Sequence, residues 1–155
     1  MLKNQKPIVY VDADSCPVKE EIQRVCQKHV VTPVFVSTFN HYSPDADNDN
    51  WRIIDPDDQA VDLYILNKVE KGDLVITQDL SFAVLLMGQG VYALTPRGKL
   101  IAEADADEIL YRKYLRQKNQ KARNRIKGPS ALTDEDKKRF EMQLENFLSN
   151  NEGIF

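Results

Sequence analysis

Several aspartates stand where their carboxylates could share one task. Asp12 and Asp14 directly follow the apolar run 8–11, and Asp79 follows a second apolar run at 74–77. Carboxylates that crowd together repel one another, and a divalent cation removes that repulsion. Hard oxygen ligands with room for water suit Mg²⁺ or Mn²⁺, which polarises a phosphodiester and lowers the pKa of a bound water. We therefore expect a Mg²⁺ or Mn²⁺ site with hydrolytic chemistry.

Asp62 is the most informative acid, because its place on its own helix is unusual. In the helix predicted over residues 59–70 it falls on the helical wheel between Leu66 and Val69, beside the apolar face. A carboxylate there needs a metal, a cation or hydrogen bonds, since an unpaired buried charge is unfavourable. Asp58 precedes it by one turn and points the same way. We expect Asp62 to join the acids that follow the strands.

Each acid also has a purely structural interpretation. Asp12 and Asp14 could cap a helix that begins near Pro17, and Asp79 could cap the helix that follows its strand. Asp62 could pair with a buried Arg or Lys. Because independent arguments bring three acids to one edge, the shared site is favoured.

The elements that must position these acids alternate between strands and helices. Short apolar runs predict strands and helical spacing predicts the helices between them, with strands at 8–11, 34–36, 52–54, 74–77 and 91–94 and helices beginning at Pro17 and spanning 59–70 and 82–87. This alternation predicts an α/β fold with a mostly parallel sheet covered on both faces. Ligands of such sheets bind beyond the carboxyl ends of the strands. Thr95 and Arg97 also follow a strand, whereas Asp73 precedes one and belongs to the far edge.

The last third of the chain has a different character. We interpret residues 1–155 as a single domain in which 99–155 form a helical C-terminal extension. A helix is expected at roughly 105–120, Gly128-Pro129 interrupts the chain, and the acidic run 133–136 begins a final helix with an apolar stripe.

Charge is unevenly distributed along the chain. The net charge is −3, yet residues 112–127 contain eight Lys or Arg residues and no acid. Such a run is most often a solvated helix face. Its functional interpretation is a nucleic-acid-binding surface to which Arg112 and Arg116 contribute, with Lys19 and Arg97 as further phosphate contacts.

Other features exclude several classes of protein. Two cysteines are too few for a disulfide scaffold, and neither histidine has cysteines spaced for a zinc site. No apolar stretch is long enough to span a membrane. We expect a cytoplasmic protein without a membrane partner, and the oligomeric state stays open.

The string Val11-Asp12-Ala13-Asp14-Ser15-Cys16-Pro17-Val18-Lys19 resembles the signature of the YaiI/YqxD family of uncharacterised bacterial proteins. Residues 72–79, Pro96-Arg97-Gly98, and Gly128-Pro129 followed by Phe140 resemble three further blocks of that family, so the likeness covers 8–148. The family in turn resembles PIN-like nucleases. Those proteins are three-layer α/β/α sandwiches whose acids bind Mg²⁺ or Mn²⁺ and hydrolyse RNA.

The resemblance implies roles for particular residues. Asp12 is similar to the acid after the first strand, Asp62 to the acid of the intervening helix, and Thr77-Gln78-Asp79 to the Thr/Ser-x-Asp block, with Thr77 as a substrate contact. The chain departs from the family pattern at Gln59, where an acid is expected, and at Ser15, where the family often has Ala.

Two functions follow from these patterns. In the first, a metal-dependent ribonuclease holds its metal with Asp12, Asp62 and Asp79, and Asp14 is a ligand or orients water. In the second, the same fold is a non-catalytic module that binds nucleic acid or protein. A phosphatase of the haloacid dehalogenase type is disfavoured, because Cys16 stands where that class has Thr or Val.

Overall fold

The structure is a computed structural model that describes residues 7–38, 50–56, 60–120 and 131–150. Its strands are β1 (Val9–Asp12), β2 (Val34–Thr38), β3 (Trp51–Ile54), β4 (Leu74–Ile76) and β5 (Tyr92–Leu94). Its helices are α1 (Lys19–Lys28), α2 (Ala60–Lys68), α3 (Leu80–Met87), α4 (Ala106–Gln120) and α5 (Asp134–Asn150). Short 3₁₀ turns occupy Ala13–Ser15 and Glu103–Asp105.

All five strands are parallel and lie in the order β3-β2-β1-β4-β5. The chain builds the sheet outward from β1 through β2 and β3, then crosses to the other side of β1 to add β4 and β5. The direction of winding therefore reverses between β1 and β4. Ligands of open parallel sheets bind in the crevice that such a reversal leaves beyond the carboxyl ends of the strands.

Helices cover both faces of the sheet. Alternate strand residues such as Val9 and Val11 pack against one layer, which contains α1 and α5. The intervening residues, such as Tyr10 and Val75, pack against α2 and α3, and α4 packs beside α3. The predicted three-layer α/β/α sandwich with a parallel five-stranded sheet is confirmed.

The helix α5 contributes directly to the core. Its predicted apolar stripe is buried in the same cluster as β1 and β4, through Phe140, Leu144, Phe147 and Leu148. It also docks against the turn that follows β5. In that turn Gly98 has a φ of +91°, and a Cβ at this position would lie 2.7 Å from the Phe140 backbone nitrogen. Only glycine fits so close an approach in this conformation.

The element boundaries differ from the sequence predictions by one or two residues. The helix α1 begins at Lys19 rather than near Pro17, because Val18 is its N-cap. Residues 57–59, which include Asp58 and Gln59, lie outside the described residues, as do Gly128-Pro129 and the basic residues after 120. No helix in the described ranges is long and apolar enough to cross a bilayer.

Asp73 lies at the amino end of β4, as its position before that strand predicts. Its carboxylate accepts hydrogen bonds from the backbone N–H groups of Ile8, at 3.0 Å, and Glu70, at 2.9 Å. The side chain is buried. Asp73 therefore fastens the start of β1 to the loop before β4, on the edge opposite the crevice.

Candidate functional site

Asp12 and Thr77 face each other across the point where the winding of the sheet reverses. The register pairs Val11 with Ile76, so the next residue of each strand end lies opposite the other. The Thr77 hydroxyl donates a hydrogen bond to Asp12 Oδ2 at 3.1 Å, and both side chains are buried. Parallel pairing thus places the Asp12 carboxylate at the mouth of the crevice.

Asp79 is oriented by the start of α3. Its Oδ1 accepts hydrogen bonds from the Phe82 backbone N–H at 3.1 Å and from the Ser81 hydroxyl at 2.8 Å. Its own N–H donates to the Thr77 hydroxyl oxygen at 3.0 Å. The predicted capping role of Asp79 is confirmed, and Thr77 joins the two acids from inside the protein.

Asp62 extends from α2 toward these two acids. Its carboxyl is half-buried and lies beside the Asp79 side chain. Burial, the negative charges of Asp12 and Asp79 and hydrogen bonding with the Asp79 side chain raise the pKa of Asp62 to about 7. None of these influences comes from a Lys or Arg of the described residues. The part of the chain that is described therefore places Asp62 beside two acids instead of a buried cation.

With a pKa of about 7, Asp62 can bind a proton near neutral pH, which relieves its repulsion by the neighbouring negative charges. Within the described ranges, no group of three or more His, Cys, Asp or Glu side chains is arranged to hold a metal ion. Asp12, Asp62 and Asp79 therefore lie near one another without forming a ready-made metal site.

The raised pKa of Asp62 predicts how the stability of the protein depends on pH. The folded-state pKa of Asp62, about 7, lies above its ordinary value of 3.8, so Asp62 increasingly destabilises the folded state as pH rises from roughly 4 to 7. In EDTA at pH 8, we expect Asp62→Asn to stabilise the protein by about 1–2 kcal/mol, after allowing for solvent screening of a half-exposed group. Urea unfolding from pH 4 to 8 measures both effects.

The matched control for that measurement is Asp107→Asn on the exposed first turn of α4, which should retain the pH dependence of the wild type. An Asp62→Asn variant whose stability has the same pH dependence as the wild type, or one that is less stable at pH 8, would contradict the repulsion that we infer at Asp62.

Asp14 occupies a different place from the other three acids. Its Oδ1 accepts hydrogen bonds from the Ser37 hydroxyl at 2.9 Å and from the Thr38 backbone N–H at 3.0 Å. These bonds hold it at the end of β2, which lies on the opposite side of β1 from β4. Neither Asp14 nor Asp12 caps α1, whose N-cap Val18 receives no side-chain bond.

The predicted phosphate contacts are spread over several elements. Lys19 Nζ donates to the Cys16 carbonyl at 2.9 Å, and Arg97 pairs with Asp136 at 2.8 Å. On α4, Arg112 pairs with Glu108 at 2.6 Å and Arg116 is exposed.

Lys113, one of the described residues of the basic run, is connected to the acids through Ser81. Its Nζ donates to the Ser81 hydroxyl at 3.3 Å, and that hydroxyl donates to Asp79. The sequence held a signal for this position, because Lys113 follows the buried Ile109 by four residues and therefore shares its helix face. Lys113 was not among the predicted site residues, because the basic run was interpreted only as a whole.

Comparisons with known proteins identify the family. The model of the "Uncharacterized BCR, YaiI/YqxD family" matches residues 10–150. A UPF0178 protein of Bacillus velezensis is 39% identical over 155 residues, covering 99% of this chain and 92% of the relative. A UPF0178 protein of Bacillus cytotoxicus is 40% identical over 146 residues, covering 94% and 95% of the two chains.

A third relative, a UPF0178 protein of Listeria welshimeri, is 35% identical over 144 residues, which are 93% of this chain and 97% of the relative. No solved structure matches the chain. The family model covers nearly the whole length and includes β1, β4 and α5. The chain therefore belongs to the YaiI/YqxD family of bacterial proteins.

Proposed function

We propose that this protein is a Mg²⁺- or Mn²⁺-dependent nuclease that hydrolyses phosphodiester bonds in RNA. The observation that carries the proposal is that Thr77 joins Asp12 and Asp79 through its hydroxyl, with the half-buried carboxyl of Asp62 beside them. This group of acids stands at the topological switch of the sheet, where ligands of such folds bind. Carboxylates gathered in that crevice destabilise the fold unless a proton or a cation neutralises them.

The donor set fits a small divalent cation by its chemistry. Three carboxylates offer hard oxygen ligands, and a cation bound among them would take the place of the proton that the raised pKa of Asp62 favours. Asp12, Asp62 and Asp79 would hold the ion. When bound, the ion would lower the pKa of a water molecule and neutralise charge on the phosphodiester.

The protein's own contacts would keep these ligands in place. Thr77 restrains Asp12 through its hydroxyl, and the cap of α3 restrains Asp79 through the Phe82 N–H. Asp62 is carried on a helix whose neighbours Val61 and Ile65 are buried against the sheet. Ligands on three packed elements favour catalysis, since little reorganisation is needed when substrate binds.

The exposed surface of α4 supports RNA as the substrate. Arg112 and Arg116 lie one turn apart, and Tyr111 and Tyr114 lie one turn apart on another side of the helix and are 60% and 55% exposed. Cations that follow a phosphate backbone together with aromatic rings that stack on bases are typical of surfaces that bind single strands. Lys113 connects this helix to the acids, because its Nζ contacts Ser81, which contacts Asp79. A strand bound along α4 would therefore reach the crevice.

A direct test is cleavage of an end-labelled single-stranded RNA by the purified protein. We expect cleavage in millimolar Mn²⁺ or Mg²⁺ and none in EDTA, with restoration when the metal is returned. Because phosphate contacts release counterions, the rate at low substrate should fall steeply as salt increases. Metal-independent cleavage, or none with any RNA tested, would count against the proposal.

A second candidate is a binding module without catalysis. The observation in its favour is that Asp79 already has a structural role as the cap of α3. Calorimetric titration with Mn²⁺ separates the candidates. Asp79→Asn keeps an acceptor for the Phe82 N–H while removing the charge. Millimolar or tighter Mn²⁺ binding that Asp79→Asn weakens favours the nuclease, whereas no binding favours the module.

A further inference from the structure

A cleft of about 1030 Å³ opens beside the acids, between the turn that follows β5 and the helix α5. Gln78 and Leu80 both line it, and they are the chain neighbours of Asp79 on either side. The cleft therefore begins where the acidic site ends. Its volume lies at the upper end of the range that small-molecule and cofactor sites occupy in proteins.

Two arginines on the wall of the cleft share one buried acid. Arg97 Nη1 pairs with Asp136 Oδ2 at 2.8 Å, and Arg139 Nη1 pairs with Asp136 Oδ1 at 3.1 Å. The Thr133 backbone N–H also donates to Asp136 at 3.1 Å, which fixes the carboxylate at the start of α5. One negative charge thus orients two guanidinium groups, so the cluster keeps a net positive charge.

Arg139 retains donors that could reach a ligand. Its contacts to Asp136 and to the Arg97 carbonyl, at 3.1 and 3.2 Å, both use Nη1. Within the described residues no contact involves its Nη2 or Nε, and the side chain is 53% exposed. Lys99, which is 60% exposed and whose Nζ pairs with Asp105 Oδ2 at 3.4 Å, adds a second exposed cation to the lining. Guanidinium and ammonium groups in this arrangement suit a phosphate.

The rest of the lining is largely apolar. Leu80, Pro96, Leu100 and Leu132 all contribute to it. A bare inorganic anion would gain nothing from such surface, whereas a heteroaromatic base would bury its faces there. A phosphate-binding edge next to an apolar wall matches the two chemically distinct parts of a nucleotide.

We propose that this cleft binds one nucleotide of the substrate strand, with its phosphate on Arg139 and Lys99 and its base against the Leu80 and Leu132 side. The proposal deepens the nuclease function and rests on it for the ligand class. The bound nucleotide would lie next to the scissile bond, because Leu80 follows Asp79 directly. The cleft and the α4 surface would then grip the strand on two sides of the acids.

The test is titration of the full-length protein with adenosine 5′-monophosphate in EDTA, followed by NMR. We expect saturable shifts confined to the cleft, and roughly five- to tenfold weaker binding in both Arg139→Gln and Lys99→Gln. If Arg139→Gln does not fold, Lys99→Gln still tests the proposal. The matched control is Arg24→Gln, because Arg24 is likewise exposed and ion-paired, with Glu141 at 2.8 Å, but lies outside the cleft.

The outcomes separate this proposal from the nuclease function. If both cleft variants bind the nucleotide more weakly but the wild-type protein cleaves no RNA, the nucleotide site is supported and the nuclease function is contradicted. If both variants cleave RNA with the KM of the wild type, the nucleotide site is overturned and the nuclease function stands. Inorganic phosphate that binds as tightly as the nucleotide, or no saturable binding of the nucleotide, would also overturn it.

Discussion

Asp12→Asn is expected to reduce Mn²⁺-dependent RNA cleavage by roughly a thousandfold or more, at an unchanged melting temperature within a few degrees. The asparagine keeps an oxygen that can accept the Thr77 hydroxyl, so the strand ends stay joined. It removes a negative charge from the most buried of the three acids, and a neutral amide is a poor ligand for Mg²⁺ or Mn²⁺. Initial rates at saturating RNA measure the loss, and circular dichroism checks the fold.

The matched control for Asp12→Asn is Asp107→Asn, which changes an exposed aspartate at the start of α4. That variant should cleave at the wild-type rate. Cleavage by Asp12→Asn within a few-fold of the wild type would remove Asp12 from the mechanism. A large drop in melting temperature would instead assign Asp12 a structural role.

Gly98→Ala is expected to destabilise the protein by roughly 3 kcal/mol. The residue has a φ of +91°, and an added methyl would lie 2.7 Å from the backbone carbonyl carbon of Arg139 and the backbone nitrogen of Phe140. Moving α5 or the turn to make room for the methyl group would reduce stability, because Phe140 is fully buried in the core. The same displacement would widen the cleft and separate Arg97 from Asp136. Urea unfolding gives the free-energy change.

Gly72→Ala provides a control with nearly the same backbone conformation. Gly72 has a φ of +95°, but nothing lies within 4 Å of a Cβ added there. This variant therefore reports the backbone strain alone, which is about 1 kcal/mol. Equal destabilisation by the two substitutions would show that the close packing of the turn on α5 contributes nothing to stability.

The sequence was most informative about features that depend on local spacing. Apolar runs marked the strands to within one or two residues, and alternation with helices predicted the parallel sheet. Because Asp12 and Asp79 follow the apolar runs that form β1 and β4, one geometric rule placed both acids at the same edge of the sheet. The wheel position of Asp62 likewise predicted a carboxyl beside the apolar face, where it is half-buried.

Side-chain partners that are distant in sequence were beyond such reasoning. Asp14 looks equivalent to Asp12 in the sequence, yet it bonds to Ser37 and Thr38 at the end of β2. The order of the strands in the sheet determines which side chains lie next to Asp14, and no local sequence pattern encodes that order. The ion pair of Arg97 with Asp136 depends on how α5 returns to the sheet. For the same reason the cleft between the β5 turn and α5 left no signature in the sequence.

The central claim is that Asp12, Asp62 and Asp79 together hold one divalent cation. Its most direct test is a crystal soaked in Mn²⁺ at pH 8, with anomalous scattering recorded at a wavelength where manganese contributes strongly. We expect a peak within about 2.0–2.3 Å of oxygens from all three carboxylates. A map without a peak there, in crystals that bind Mn²⁺ elsewhere or not at all, would contradict the claim.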